Sequence, residues 1–191
     1  MSTLIAAVIT VILIVLNQAA AQESKKNSIV DAAQERGYLV KVGDQAPDNF
    51  ELILHDSSKT SLKQFRGKVV VLQFTASWCF VCRKEMPHLE ADVWKAYKDK
   101  NVVLIGVDRD EPLQTVQKFH ADMQITYPLA LDPKAEIFGR FTDKKSGVTR
   151  NVVIDPNGKI VFLTRLYDEN EFSQMVKVIN KLVIKSNEAS L

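Results

Sequence analysis

Cysteine is scarce in this chain: two residues in 191, Cys79 and Cys82, three positions apart. A scaffold held by several disulfides is thereby excluded, and a chain of this length buries a core without one. A closed metal site takes about four ligands, and one Cys-x-x-Cys pair supplies two. Histidine is almost as rare. His55, His88 and His120 are the candidates to complete such a site, but all lie far from the pair in sequence and none shows ligand spacing. An excess of one charge is also missing. Twenty-five Lys and Arg are interleaved with 23 Asp and Glu, for a net charge of +2 and a pI near 8.5. That balance carries no nucleic-acid footprint. A membrane-length apolar run is absent as well: the stretch from Met1 to Leu16 falls short of the roughly 20 residues of a comfortable span.

What the N-terminus does hold is an apolar, β-branched segment followed by "NQAAAQESKK". It reads as a secretory signal peptide over residues 1–21, with small residues Ala19, Ala20 and Ala21 ahead of a cleavage point at Gln22. The lack of Lys or Arg before Gln22 leaves the alternative of an uncleaved anchor formed by residues 4–16. No Cys follows the segment, so lipid attachment there is excluded. Either export reading puts the folded part outside the cytoplasm, periplasmic or secreted, where disulfides persist. Residues 22–41 are expected to be linker, residues 42–186 one domain, and residues 187–191 a tail.

Within the domain, strand-like and helix-like segments alternate. "FELILHDSSKTSL" suggests a strand, a turn and a second strand start. "KVVVLQF" (68–74) and "NVVLIGVD" (101–108) are continuous apolar runs, as expected of strands buried on both faces. A helix is expected from about Cys79 to Lys98, kinked by Pro87. A second is expected after "DEP", with Asp110 as N-cap and Pro112 in its first turn. "YPLAL" reads as a short strand and "PKAEIFGRF" as a short helix. "TRNVVIDPNGKIVFLTRL" reads as a β-hairpin turning at Pro156, Asn157 and Gly158. A last helix, 169–184, repeats Phe172, Val176, Ile179 and Val183 on one face, with Asp168 and Glu171 spaced as a capping box. The alternation predicts an α/β fold: a mixed sheet flanked by helices.

The cysteine pair stands where a buried strand gives way to a helix. A structural bond across so small a loop yields little chain-entropy stabilisation. Haem attachment needs CxxCH, and Arg83 follows Cys82. Dithiol–disulfide exchange suits the placement best. Free N–H groups and the positive helix end at Cys79 favour a thiolate, and Cys82 follows one helical turn later, within reach of a mixed disulfide. The helix field alone is worth about 0.3–1 kcal/mol, so direct hydrogen bonds must supply the rest.

The stretch "WCFVCRKEMP" resembles the WCxxCxxExP signature of TlpA/ResA-type thioredoxin-like thiol–disulfide oxidoreductases, and "VGDQAPDNFEL" resembles the opening of related redoxins. The resemblance covers residues 42–184. It implies a thioredoxin-like fold with an N-terminal β extension and a helix–strand insert within residues 110–131. It further implies an enzyme with no cofactor beyond the redox-active pair, in which Cys79 attacks and Cys82 resolves. Glu85 matches the glutamate that tunes the thiols and relays protons. Trp78, Phe80, Val81 and Thr149 would meet the substrate. Its partners would be protein thiols or disulfides and a membrane thiol-carrier reductant, with the protein itself a monomer.

Two departures from the pattern stand out. Gln73 takes the place of the buried Asp of ordinary thioredoxin and cannot accept a proton at neutral pH, which raises the weight on Glu85. Thr149 takes the place of the expected cis-proline, and a non-proline cis bond costs about 2.5–4 kcal/mol, so a trans bond is expected. Two rival functions remain. "FVCRKE" and "TRNVVIDPNG" echo peroxiredoxins, but Cys79 fills the slot of the peroxiredoxin threonine and Arg150 lies one residue away from that of its arginine. The other rival is an exported, non-enzymatic module with a metal-binding or structural CxxC.

Overall fold

A computed structural model describes residues 36–188 (side chains to 186) and the isolated position 18. The expected signal segment apart from position 18, most of the expected linker and residues 189–191 lie outside the described residues. Among those described, no helix is long and apolar enough to cross a membrane.

The strands are β1 (Leu52–Leu54), β2 (Lys59–Thr60), β3 (Val69–Thr75), β4 (Val102–Arg109), β5 (Leu129–Asp132), β6 (Arg150–Ile154) and β7 (Ile160–Leu163). They form one mixed sheet in the order β2-β1-β5-β4-β3-β6-β7. β3, β4 and β5 are parallel, and the remaining pairings are antiparallel. The helices are α1 (Phe80–His88), α2 (Leu113–Asp122), α3 (Phe138–Phe141) and α4 (Glu169–Glu188).

β3 is buried along its whole length, as its unbroken apolar run requires of a strand covered on both faces. Its alternate side chains enter two cores. Val69 and Val71 pack with Met86, Leu89, Phe119, Met175 and Ile179, which belong to α1, α2, α4 and the segment after α1. Phe74, on the other face, meets Phe138 and Phe141 with ring centroids 5.4 Å apart in each case. The α2–β5 unit lies where the helix–strand insert was expected. The thioredoxin-like architecture follows from this order.

Two local expectations need correction. The helix after Cys79 does not run uniformly to Lys98: at Leu89 it passes into a π-helical stretch ending at Lys95. Pro87 has no N–H and crowds the carbonyl four residues back, so the ladder widens there. Asp110 is not an N-cap. It sits at φ 64°, its carboxylate takes the Arg109 guanidinium at 2.8 Å, and the helix starts at Leu113 behind Pro112. Asp168 does cap α4, accepting from Glu171 N at 2.9 Å, while the Glu171 carboxylate accepts from Arg165 N at 3.3 Å.

The packed unit also begins earlier than Val42, at Gly37. Tyr38 is buried, its hydroxyl donates to Thr164 O, and Leu39 N donates to Phe141 O at 2.9 Å. Residues 37–41 are therefore part of the fold, because an aromatic ring and backbone groups find partners there.

Candidate active site

β3 ends at Thr75, and the chain turns through Ala76, Ser77 and Trp78 into α1. Cys79 N donates to Ala76 O at 3.0 Å, closing the turn. Ser77 is held from outside by Glu111, whose carboxylate accepts from both its N–H and its hydroxyl. Cys79 is the N-cap of α1, with extended backbone, and its Sγ accepts from Cys82 N at 3.2 Å. A helix N-terminus leaves donors without partners within the helix, and here the Cys79 sulfur accepts one of them.

The two sulfurs are joined as a disulfide, with Cα atoms 5.3 Å apart. Cys79 is 7% exposed and Cys82 fully buried. A reagent from solvent therefore meets Cys79 first. The surrounding rim is apolar and open: Trp78 is 64% and Phe80 80% exposed, with Val81 half-buried between the cysteines. Trp78 is a surface side chain and not part of the core.

Thr149 arrives from the loop before β6. The peptide bond that precedes it is trans, as is every described peptide bond. Its Oγ1 stands 3.2 Å from Cys79 Sγ and 3.3 Å from Cys82 Sγ.

Behind the pair, Glu85 is 1% exposed on the sheet-facing side of α1. Asn151 Nδ2 donates to its Oε1 at 2.6 Å, and Asn151 Nδ2 also reaches Thr164 Oγ1 at 3.0 Å. Gln73 lies beside this carboxyl and accepts from the Tyr127 hydroxyl at 2.8 Å through its Oε1, while its Nε2 and Glu85 Oε2 make no hydrogen bond among the described residues. Burial pushes the Glu85 carboxyl up to about 7 against the Asn151 bond and the neighbouring Gln73 amide, and the Glu171 charge pushes in the same direction as burial. A carboxyl near 7 both gives and takes protons at neutral pH.

Asp108, at the end of β4, is a second buried acid. Burial, with Glu111 next, raises it to about 9, so it holds its proton at neutral pH. The sequence reading missed Asn151, Tyr127, Glu111 and Asp108. For Asn151 there was a usable signal: it lies two residues beyond Thr149 on one strand face, and β6 pairs it with Gln73.

Arg150 pairs with Phe74 on the opposite face of the sheet and places its guanidinium over the Tyr38 ring at 4.6 Å. It is thus turned away from the sulfurs, which removes the peroxiredoxin-like arginine. The histidines are placed elsewhere. His55 and His120 stack at 3.9 Å, and His88 stacks on Tyr167 at 5.2 Å. Among the described residues no three His, Cys, Asp or Glu side chains are grouped to hold a metal ion.

Comparison with known proteins agrees with this arrangement. The AhpC/TSA family matches residues 42–163. A thiol–disulfide oxidoreductase named ResA from Bacillus thuringiensis subsp. konkukian is 34% identical over 134 residues, covering 66% of this chain and 73% of its own. A solution structure from Bacteroides thetaiotaomicron, provisionally named a protein disulfide isomerase, is 51% identical with a TM-score of 0.76. It covers 81% of this chain and 97% of its own. A crystal structure from Chlorobium tepidum, provisionally named the thiol:disulfide interchange protein DsbE, is 28% identical with a TM-score of 0.64. It covers 74% and 97%.

Proposed function

Because the chain belongs to the AhpC/TSA redoxin family and, within it, to the ResA-like thiol–disulfide oxidoreductases, we propose that it reduces protein disulfides outside the cytoplasm. The observation that carries this reading is the asymmetry of the pair: Cys79 at the surface on a helix N-terminus, Cys82 sealed beneath it. The Cys79 thiolate attacks a substrate disulfide, forming a mixed disulfide and releasing one substrate thiol. Cys82 then attacks Cys79 Sγ, releasing the second thiol and closing the Cys79–Cys82 bond. An external dithiol, supplied at the membrane, reduces the pair again.

Glu85 handles the proton of buried Cys82, taking it as Cys82 attacks and returning it when the pair is reduced. The apolar rim of Trp78 and Phe80 suits unfolded or extended protein segments better than small polar thiols. The apolar N-terminal segment supports the extracytoplasmic location.

Removing Cys82 leaves the mixed disulfide without a resolving thiol, so Cys82→Ser is expected to accumulate covalent adducts with substrate proteins. Cys79→Ser should form none and show no turnover, read by non-reducing electrophoresis. The direction is tested by equilibrating the pair against thiol buffers. A potential in the range of thioredoxin, about −270 mV, supports reduction, whereas one near −120 mV would make the protein an oxidant.

A further inference from the structure

We propose that the Thr149 hydroxyl is a catalytic group: the single hydrogen-bond donor that serves both sulfurs and follows the thiolate charge between them. The inference rests on reading Cys79–Cys82 as an exchange centre. Neither sulfur of a disulfide carries a hydrogen, so in the contacts at 3.2 and 3.3 Å the threonine O–H must be the donor. One O–H donates along one direction at a time, and a hydroxyl rotates to suit its strongest acceptor. Lying almost equidistant, it can turn to whichever sulfur bears charge.

The two cysteines depend on it unequally. Cys79 Sγ has a second donor in Cys82 N. Among the described residues Cys82 Sγ has no donor except Thr149. Its other polar neighbour is Phe74 O at 4.0 Å, an acceptor that suits a thiol but not a thiolate. Thr149 is 2% exposed, so water does not readily substitute for it. Its position is also well fixed, since its carbonyl accepts from Leu166 N at 3.0 Å.

The consequence falls first on the step in which the pair is reduced. A thiolate of the external dithiol attacks Cys79 Sγ. The Cys79–Cys82 bond breaks, and its electron pair leaves with Cys82 as a buried thiolate beside the hydroxyl. The donor's second thiolate then attacks the donor sulfur bound to Cys79, and Cys79 leaves as a thiolate. The donor ends as a disulfide, and the protein has gained two electrons and, once both sulfurs are protonated, two protons. In both displacements the departing sulfur is one that Thr149 reaches.

Thr149→Val keeps the shape and removes the O–H, while Thr149→Ser keeps the O–H. Two measurements need no protein substrate: the rate at which dithiothreitol reduces the oxidised pair at pH 7, and the pH profile of Cys79 alkylation by iodoacetamide in the reduced protein. A hydrogen bond to a charged group is worth about an order of magnitude or more in an equilibrium. Thr149→Val is therefore expected to slow reduction about tenfold and to move the alkylation midpoint up by about one pH unit, with Thr149→Ser near wild type. Glu85, Asp108 and Glu111 on the neighbouring elements, and the cations Arg83, Lys84 and Arg165, remain in place in every variant. A slowing of less than about threefold, an unmoved midpoint, or a serine variant as slow as the valine overturns the assignment. Thr149→Ala replaces the valine should the larger side chain prevent folding. A strongly oxidising potential would defeat the reductase reading while leaving this result intact.

Discussion

Glu85 ties the chemistry to the folding equilibrium. Its carboxyl titrates near 7 in the native protein, against an ordinary value of 4.5. Between those pH values the native state holds a proton that the unfolded chain has released. Stability therefore falls as pH rises through that window and levels off above it, by about 3 kcal/mol in all. Glu85→Gln keeps an acceptor for Asn151 and abolishes the titration. Urea unfolding of the oxidised protein should show the variant matching wild type near pH 4 and exceeding it by up to about 3 kcal/mol at pH 8. The same variant is expected to lose about a hundredfold in the rate of pair reduction, together with the inflection near pH 7, since a positioned acid or base contributes on that order. Glu85 was legible from its place three residues after Cys82. Asn151, which holds it, could be placed on the Thr149 face of its strand but not against Glu85, because that contact spans 66 positions and depends on how β6 registers against β3.

At the scale of elements, Gly106 shows how closely the sheet is fitted beneath the site. It lies opposite Gln73 in β3 and opposite Leu129 in β5. A Cβ there would come within 2.4 Å of Leu129 Cδ2 and 3.4 Å of Gln73 Oε1. Gly106→Ala is expected to cost about 1–3 kcal/mol, seen as a lower urea midpoint with an unchanged slope. Because Gln73 lies beside the Glu85 carboxyl and holds its pKa down, the variant should also shift the pH inflection of pair reduction. Caps behave more locally. Asp168→Ala should cost about 1 kcal/mol through α4, measured by the same unfolding curves, without touching the thiol chemistry. The sequence pattern located α4 and its cap. It misplaced the start of α2, because Arg109 draws the Asp110 carboxylate away from the helix and the residue takes a left-handed turn.

At the scale of the whole molecule, the packed unit depends on residues that composition alone assigned to a linker. A chain beginning at Val42 loses the burial of Tyr38 and Val40 and the bond from Tyr38 to Thr164 O, and should unfold at a clearly lower urea concentration than the full chain. Redox state is linked to stability in the same global way. For a reductase the oxidised form is expected to resist urea better than the reduced form, since in a strong oxidant it is the reduced form that is stabilised.

The chain order alone determined the architecture and the kind of chemistry. Buried strands announce themselves as apolar runs, a hairpin turn by its Pro-Asn-Gly, and a dithiol by two cysteines one helical turn apart, all within a few residues of one another. Tertiary structure decided which groups attend the sulfurs and which carboxyl holds a proton. Thr149 meets Cys79 across 70 positions, and Glu85 titrates near 7 because packed layers exclude water from it. Burial and strand register arise from the assembled sheet, and no local stretch of sequence carries them.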